Sequence, residues 1–286
     1  MKGVNLVAQE DLSAMHNATL NPILLLRRSF ELVGPIYWPL LILTSFSSSH
    51  IAFFVVGLTS PSLGMILLLL AYVLVGAPIL TGAAFWLVDQ HLKQRTPLLG
   101  NSLAQAFSKA VPLIFGSLLV NLISSLGMQL FVFPGIFGSL LVNLISSLGM
   151  QLFVFPGIYC RVRLAFTLCA IALEDKGATE GLGYSWNLVR GRWWGVFWAF
   201  LVVVLIFGIS ILLLPYVVAI LGATLAAVVT GGNTDIIGLA LLVWAPVVAL
   251  LEVVVGFAAF TAVTPIFNVY TVLLFRSLQQ LQAQAA

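Results

Sequence analysis

The sequence predicts an all-α fold: a polytopic bundle of transmembrane helices with about six spans, plus amphipathic helices at the membrane interface. Three observations support this prediction: a very apolar composition, long stretches without charge, and basic residues confined to alternate loops. Of the 286 residues, 61% are hydrophobic and 7% are charged. Soluble chains usually have roughly a quarter of their residues charged. We therefore expect residues 1–286 to form a single integral membrane domain.

The N-terminal part contains a predicted interfacial helix and two spans. Residues 1–34 are predicted to be cytoplasmic, with a helix that begins at Asn21-Pro22, because asparagine is a good N-cap and proline is tolerated at the first helical position. The uncharged stretch that follows is long enough for two crossings of about 20 residues each. We place these spans at residues 36–58 and 62–88. A second interfacial helix is predicted within residues 94–110.

An exact tandem repeat follows. Residues 115–136 (FGSLLVNLISSLGMQLFVFPGI) recur without a change as residues 137–158. A recent duplication, engineering and a sequence error would each produce such a pair, and the sequence alone does not distinguish them. Each copy is long enough for one crossing and ends in Pro-Gly, which stops a helix and permits a tight turn. Spans 1–4 are therefore predicted within residues 36–155.

The C-terminal part is divided by its charges. Residues 159–192 are predicted to be a basic cytoplasmic segment, residues 193–275 to contain spans 5 and 6, and residues 276–286 to be a cytoplasmic tail. With both repeat copies crossing the membrane, the apolar stretch 157–173 is expected to lie along the cytoplasmic surface. If one copy were absent, this stretch would have to cross instead, with two arginines that each cost about 2.5–3.5 kcal/mol at mid-bilayer. The alternatives of five and seven spans therefore stay open.

The distribution of basic residues predicts the orientation. With six spans, all twelve Lys and Arg residues fall on one side of the membrane. Basic loops resist translocation, so this side is predicted to be cytoplasmic, with both termini in the cytoplasm of a cell with a bacterial-type inner membrane. The net charge of +3 is too small and too scattered for a nucleic-acid partner.

One segment carries a family resemblance. Residues 156–194 read PGIYCRVRLAFTLCAIALEDKGATEGLGYSWNLVRGRWW. This segment resembles the membrane domain associated with glycerophosphodiester phosphodiesterases and its stand-alone bacterial relatives. The resemblance implies a membrane domain, because in that enzyme class the hydrolysis belongs to a separate soluble barrel. The family usually has one helix where this chain has its exact repeat.

No residues of this chain form a catalytic or metal-binding motif. His16, His50 and His91 lie in separate segments, and no H-E-x-x-H or C-x-x-C spacing is present. Cys160 and Cys169 are nine residues apart, which on a helix puts them on opposite faces, so we expect no bond between them. We therefore expect no enzyme activity, no metal and no cofactor.

Two other groups of residues are candidate functional sites. Arg190, Arg192, Trp193 and Trp194 lie together at a basic boundary, where indole rings anchor at the headgroup level and arginines attract anionic lipids. An orientation anchor without a specific ligand is the simpler interpretation of these four residues. Glu252 is an acid within an apolar stretch, where an ionisable group is costly and often functional. A protonated or paired structural carboxyl is the simpler interpretation there.

These observations favour a non-enzymatic integral membrane protein that acts through association with membrane lipids or with other membrane proteins, itself included. The alternative is a small transporter or channel that uses Glu252 within the helical bundle. The low polarity of the predicted spans favours association, because transporters usually line their pathway with several polar groups and broken helices.

Overall fold

A computed structural model describes residues 21–48, 63–96, 98–129, 157–229 and 234–285. In these ranges the chain forms helices joined by turns and short connections, which confirms the predicted all-α class. The helices, in chain order, are α1 (Pro22–Val33), α2 (Tyr37–Ser48), α3 (Leu63–Ala71), α4 (Ala77–Leu92), α5 (Leu99–Ser108), α6 (Ala110–Gln129), α7 (157–163), α8 (Thr167–Leu173), α9 (Ala178–Leu188), α10 (Trp193–Val229) and α11 (Thr234–Ala285).

The beginning of α1 follows the sequence prediction. Asn21 is the N-cap, and its side-chain oxygen accepts hydrogen bonds from the backbone N–H groups of Ile23 and Leu24 at 3.1 and 3.4 Å. These bonds satisfy two donors that have no partner within the helix. Within residues 94–110, where the sequence predicts a second interfacial helix, the chain forms the helix α5.

The number of membrane spans is lower in the described residues than the sequence suggests. Two helical stretches are long and apolar enough to cross a membrane, Tyr72–Leu92 and Val255–Gln284. Two bent pairs would raise the number to four: α5 with α6, bent by 72°, and α9 with α10, bent by 98°. Six spans are therefore not confirmed. The predicted fourth span, residues 137–155, lies outside the described residues.

The stretch 157–173, which the sequence predicts to lie along the cytoplasmic surface, is largely packed against neighbouring helices. It is broken by a turn at residues 164–166 into α7 and α8, each too short to cross the hydrocarbon core. Phe166, Cys169, Ala170 and Ile171 have no exposed surface. α8 packs against α4, α6 and α9, and its apolar side chains form part of the core. Both cysteines are free, as expected, and burial raises the pKa of the Cys169 thiol above its ordinary value.

The last helix also differs from the prediction. Residues 276–286 were expected to form a tail, but α11 continues past Arg276 to Ala285. The side chains of Arg276 and Gln279 contact Glu174, which directly follows α8, and Tyr184 of α9. The prolines at 246 and 265 do not divide this helix, and Pro215 likewise lies within the unbroken α10.

Glycines allow the helices around α8 to approach closely. A Cβ atom on Gly82 of α4 would lie 2.7 Å from a methyl group of Leu113 on α6. Gly116 of α6 and Gly181 of α9 both face Ile171, and a Cβ on either would overlap this side chain. Small residues have this function in membrane helix packing, because they let backbones come together.

Candidate functional site

A polar cluster is centred on Arg276, near the end of α11. Its guanidinium group contacts Asp89 of α4, with Nη2 2.5 Å and Nε 3.1 Å from Oδ1. Its Nη1 lies 2.6 Å from Oε1 of Glu174, which directly follows α8. One arginine thus joins three parts of the fold that are far apart in the sequence. We call Asp89, Lys93, Glu174, Arg276 and Gln279 the ionic cluster.

The ionic cluster satisfies its own buried charge. The Asp89 side chain is only 4% exposed, and its second oxygen receives Lys93 Nζ at 2.5 Å. Gln279 donates to Glu174 at 3.1 Å and to the hydroxyl of Tyr184 at 2.7 Å. Two carboxylates face one arginine and one lysine, so the ionic cluster is neutral in sum. This balance is what a buried ion pair needs, since an unpaired charge there is very costly.

Other basic residues meet the same end of the bundle. Lys109 donates to the carbonyl oxygen of Ala172 at 2.9 Å and forms an ion pair with Asp175. Arg192 donates to the carbonyl oxygen of Leu281 near the end of α11 at 3.1 Å. Through these contacts, four connecting segments converge on the end of α11. They are the loops after α4, α5 and α8 and the connection before α10. Basic residues from separate segments thus lie at one end of the bundle.

A second feature lies where α9 turns into α10. Arg163 stacks between two aromatic rings, its Cζ 5.1 Å from the ring centroid of Tyr159 and 4.7 Å from that of Trp186. It also donates to the Tyr159 hydroxyl at 2.6 Å and to the Trp186 carbonyl at 3.1 Å. Cation–π contacts of this kind hold an arginine in place while keeping its charge.

Aromatic rings continue from this arginine into α10. The Tyr159 ring lies 5.5 Å from that of Trp193, which lies 4.7 Å from that of Trp194. The rings of Phe197 and Trp198 extend the row along the helix, with centroids 5.5 Å apart. Gly191 lies at the sharp change of direction between α9 and α10. Its backbone has a φ of 79°, which residues other than glycine rarely adopt. We call residues 186–198, with Tyr159 and Arg163, the aromatic elbow.

The four predicted headgroup residues all lie in the aromatic elbow, but they differ in their roles. Arg190 is exposed, and Trp194 is 58% exposed. Trp193 is buried and its indole N–H donates to the carbonyl oxygen of Tyr159 at 3.4 Å. Arg192 is half-buried and is bonded to α11. Arg190 and Trp194 are therefore accessible at the surface, whereas Trp193 joins α10 to α7 and Arg192 joins the aromatic elbow to α11.

Glu252 lies within the backbone of α11, but its side chain falls outside the part of the chain whose side chains are described. Its role as an intramembrane ionisable site stays a prediction. Among the described residues, no group of three His, Cys, Asp or Glu side chains is placed to hold a metal ion.

Sequence reasoning missed the ionic cluster and Arg163. Asp89 and Arg276 each end a long apolar stretch, which is a signal that they lie at a membrane boundary. No local pattern shows that they bind each other, because 187 residues separate them.

The chain matches a known protein family. A family model described as the membrane domain of glycerophosphoryl diester phosphodiesterase matches residues 131–284, more than half of the chain. The match contains the second repeat copy, the aromatic elbow and most of the ionic cluster, while Asp89 and Lys93 lie before it. No curated protein and no solved structure matches the chain. The resemblance drawn from residues 156–194 is thereby confirmed.

Proposed function

The chain belongs to the family of glycerophosphoryl diester phosphodiesterase membrane domains, and on this basis we propose that it is a non-enzymatic membrane protein that binds anionic lipid headgroups at the aromatic elbow. In this proposal the chain crosses a bacterial inner membrane six times, and both termini are cytoplasmic. The observation that carries it is an exposed arginine beside exposed indole rings at the start of the long apolar helix α10.

The geometry of the aromatic elbow suits a membrane surface. α10 begins at Trp193 and has no charged residue along its length, whereas α9 meets it at 98°. A helix that crosses the bilayer and a helix that lies along its surface are roughly perpendicular, which is close to this angle. Trp186, Trp194 and Trp198 are 39%, 58% and 54% exposed. Indole rings prefer the headgroup level, with their apolar body towards the acyl chains.

The charge at the aromatic elbow favours anionic lipids. Arg190 is exposed next to Trp194, and Arg161 is exposed on α7, which carries Tyr159 and Arg163. Near a membrane surface each arginine contributes about 1 kcal/mol of attraction to anionic lipids. The ionic cluster, in contrast, is neutral in sum and already paired, so it offers no free charge of either sign to a headgroup.

Replacing Arg190 with glutamine should weaken the binding of phosphatidylglycerol about fivefold, which corresponds to the loss of about 1 kcal/mol. Binding is measured by titrating labelled phosphatidylglycerol into the purified protein in phosphatidylcholine nanodiscs. Trp194→Ala should weaken the binding of phosphatidylglycerol and phosphatidylcholine alike, because it removes apolar contact rather than charge.

Arg95→Gln is the matched control for Arg190→Gln. Arg95 is exposed in the loop after α4, outside the aromatic elbow, so its loss removes the same charge from a different place. If Arg190→Gln and Arg95→Gln lower the affinity equally, binding is a property of net charge and the proposed lipid site is wrong.

The alternative function is a transporter based on Glu252, which predicts a flux of protons or cations. The association proposal predicts the opposite. In proteoliposomes that contain a pH-sensitive dye and carry a potassium diffusion potential, we expect no proton or cation flux above that of empty vesicles. Glu252→Gln should therefore change nothing. Flux that is present in the wild-type protein and absent in Glu252→Gln would overturn the association proposal. Glu31→Gln is the control for a general loss of charge, because Glu31 is an exposed acid on α1.

A further inference from the structure

The stretch 157–173 is broken at a place where its own sequence favours a helix. Residues 164–166, between α7 and α8, read Leu-Ala-Phe and contain neither proline nor glycine. Alanine and leucine are among the best helix formers. Sharp breaks in helices have few causes, namely proline, pairs of glycine or serine, a π-bulge, or a side chain that inserts into the backbone hydrogen bonds. An inserted side chain is the cause that the structure shows here.

This side chain belongs to Ser185 of α9. Its hydroxyl donates to the carbonyl oxygen of Arg163 at 2.7 Å and accepts from the backbone N–H of Phe166 at 3.2 Å. In a continuous helix the carbonyl of Arg163 would accept from Thr167, and the N–H of Phe166 would donate to Val162. One hydroxyl therefore takes the place of two helical partners, because it is both donor and acceptor.

The backbone hydrogen bonds beside the break fit this exchange. Thr167 donates to Leu164 at 3.1 Å and Ala165 donates to Val162 at 3.4 Å, each over three residues instead of the four of an α-helix. Phe166 has no exposed surface, and neither has the serine. A backbone N–H that is buried in this way needs a partner within the protein. The serine hydroxyl is the partner that the structure provides.

Two adjacent residues of α9 hold the backbone and the side chain of Arg163. Ser185 binds its carbonyl oxygen, and the carbonyl oxygen of Trp186 accepts from its guanidinium group at 3.1 Å. The guanidinium carbon also lies 4.7 Å from the ring centroid of Trp186. The break between α7 and α8 and the stacking of Arg163 in the aromatic elbow are thus joined at one point of α9.

We propose that Ser185 is the positioning residue of the aromatic elbow: its hydroxyl keeps α7 and α8 apart, and this break holds Arg163 between Tyr159 and Trp186. Without the hydroxyl, the N–H of Phe166 and the carbonyl of Arg163 recover partners when α7 and α8 join into one helix. The joining turns α7 relative to α8 and removes Arg163 from the two aromatic rings.

α7 is the part that moves, because α8 is fixed by its packing. Ile171 of α8 is fully buried, and a Cβ atom on Gly116 of α6 or on Gly181 of α9 would overlap its side chain. α8 therefore has close neighbours on two sides. A change at the break is passed to α7, which carries Tyr159 and Arg163.

Fluorine NMR of Trp186 is the direct test. The chain is labelled with fluorinated tryptophan and placed in phosphatidylcholine nanodiscs, and Trp186→Phe identifies the resonance of Trp186. Arg163→Gln then gives the shift of this resonance that follows from loss of the cation–π contact. We expect Ser185→Ala to move the resonance by most of this shift and in the same direction. Ser185→Thr keeps a hydroxyl and should restore the wild-type position.

Ser102→Ala is the matched control. Ser102 is also fully buried, but its hydroxyl donates to the carbonyl oxygen of Leu98 at the start of its own helix, at 3.1 Å. Its loss should leave the Trp186 resonance in place. A resonance that stays in place in Ser185→Ala, or that moves equally in Ser102→Ala, would overturn the proposal. If Ser185→Ala does not fold, Ser185→Cys decides in the same way, because a thiol fills the place of the hydroxyl but is a weak donor and acceptor.

The consequence for lipid binding rests on the proposed function. Arg163 keeps its charge within the aromatic elbow, and an arginine near the membrane surface contributes a factor of about five to the binding of an anionic lipid. Ser185→Ala should therefore weaken phosphatidylglycerol binding about two- to fivefold and leave phosphatidylcholine binding unchanged. Equal losses for the two lipids would contradict this consequence. A wild-type protein that binds both lipids equally would refute the proposed lipid site, whereas the Trp186 resonance would still decide the role of Ser185.

Discussion

Replacing Arg276 with methionine should lower the free energy of unfolding by about 3 kcal/mol, because it leaves a buried carboxylate without its main partner. Asp89 would lose both guanidinium contacts and Glu174 would lose one. Lys93 still binds the second oxygen of Asp89. We therefore expect the lower end of the range of about 3–5 kcal/mol for breaking a buried ion pair. The measurement is reversible unfolding in mixed detergent and SDS micelles, followed by tryptophan fluorescence.

Two further variants test whether the ion pair itself is responsible. Arg95→Met removes an exposed arginine at the same end of the protein and should change the stability by less than about 0.5 kcal/mol. Asp89→Asn combined with Arg276→Met should cost less than the two single changes added together, since the double variant no longer leaves the buried Asp89 carboxylate without its arginine. Additive costs, or an Arg276→Met variant as stable as Arg95→Met, would contradict the proposed role of the ionic cluster.

Adding one methyl group at Gly181 should lower the free energy of unfolding by about 1–2 kcal/mol, through overpacking. In Gly181→Ala the new Cβ would lie 2.8 Å from Cγ1 of Ile171 and 3.3 Å from the carbonyl oxygen of Thr167. Ile171 has little room to move away, because it is fully buried and meets Gly116 of α6 on another side. The backbone of α8 would have to shift, and the same unfolding experiment measures the cost.

Gly183 on the same helix is a matched control for this change. No atom lies within 4 Å of the position of its Cβ, so Gly183→Ala should be neutral or should stabilise the protein by up to about 1 kcal/mol, the usual gain from glycine to alanine in a helix. The two alanine variants should therefore differ in sign. Equal effects would mean that the close contact between α8 and α9 does not limit stability.

The candidate sites differ in how far the sequence could predict them. Arg190 and Trp194 were found because tryptophan and arginine adjacent in sequence at the end of an apolar stretch are a local pattern. The contact between Arg163 and Trp186 was missed because Trp186 lies on another helix, 23 residues later. The same limit applies to Asp89 and Arg276, whose contact depends on how α4 packs against α11. Residue spacing reports which face of one helix a side chain occupies, but not which helix it meets.

The sequence by itself determined the class of this protein, because 61% hydrophobic residues and long uncharged stretches can be buried only by helices in a bilayer. It also determined where α1 begins and that Arg190, Arg192, Trp193 and Trp194 lie together, since both depend on neighbours along the chain. The tertiary structure decided that the stretch 157–173 breaks into α7 and α8 and packs inside the bundle. An apolar stretch has the same residue pattern whether it faces lipid or other helices. Only the contacts of Ile171, Phe166 and the ionic cluster distinguish the two environments.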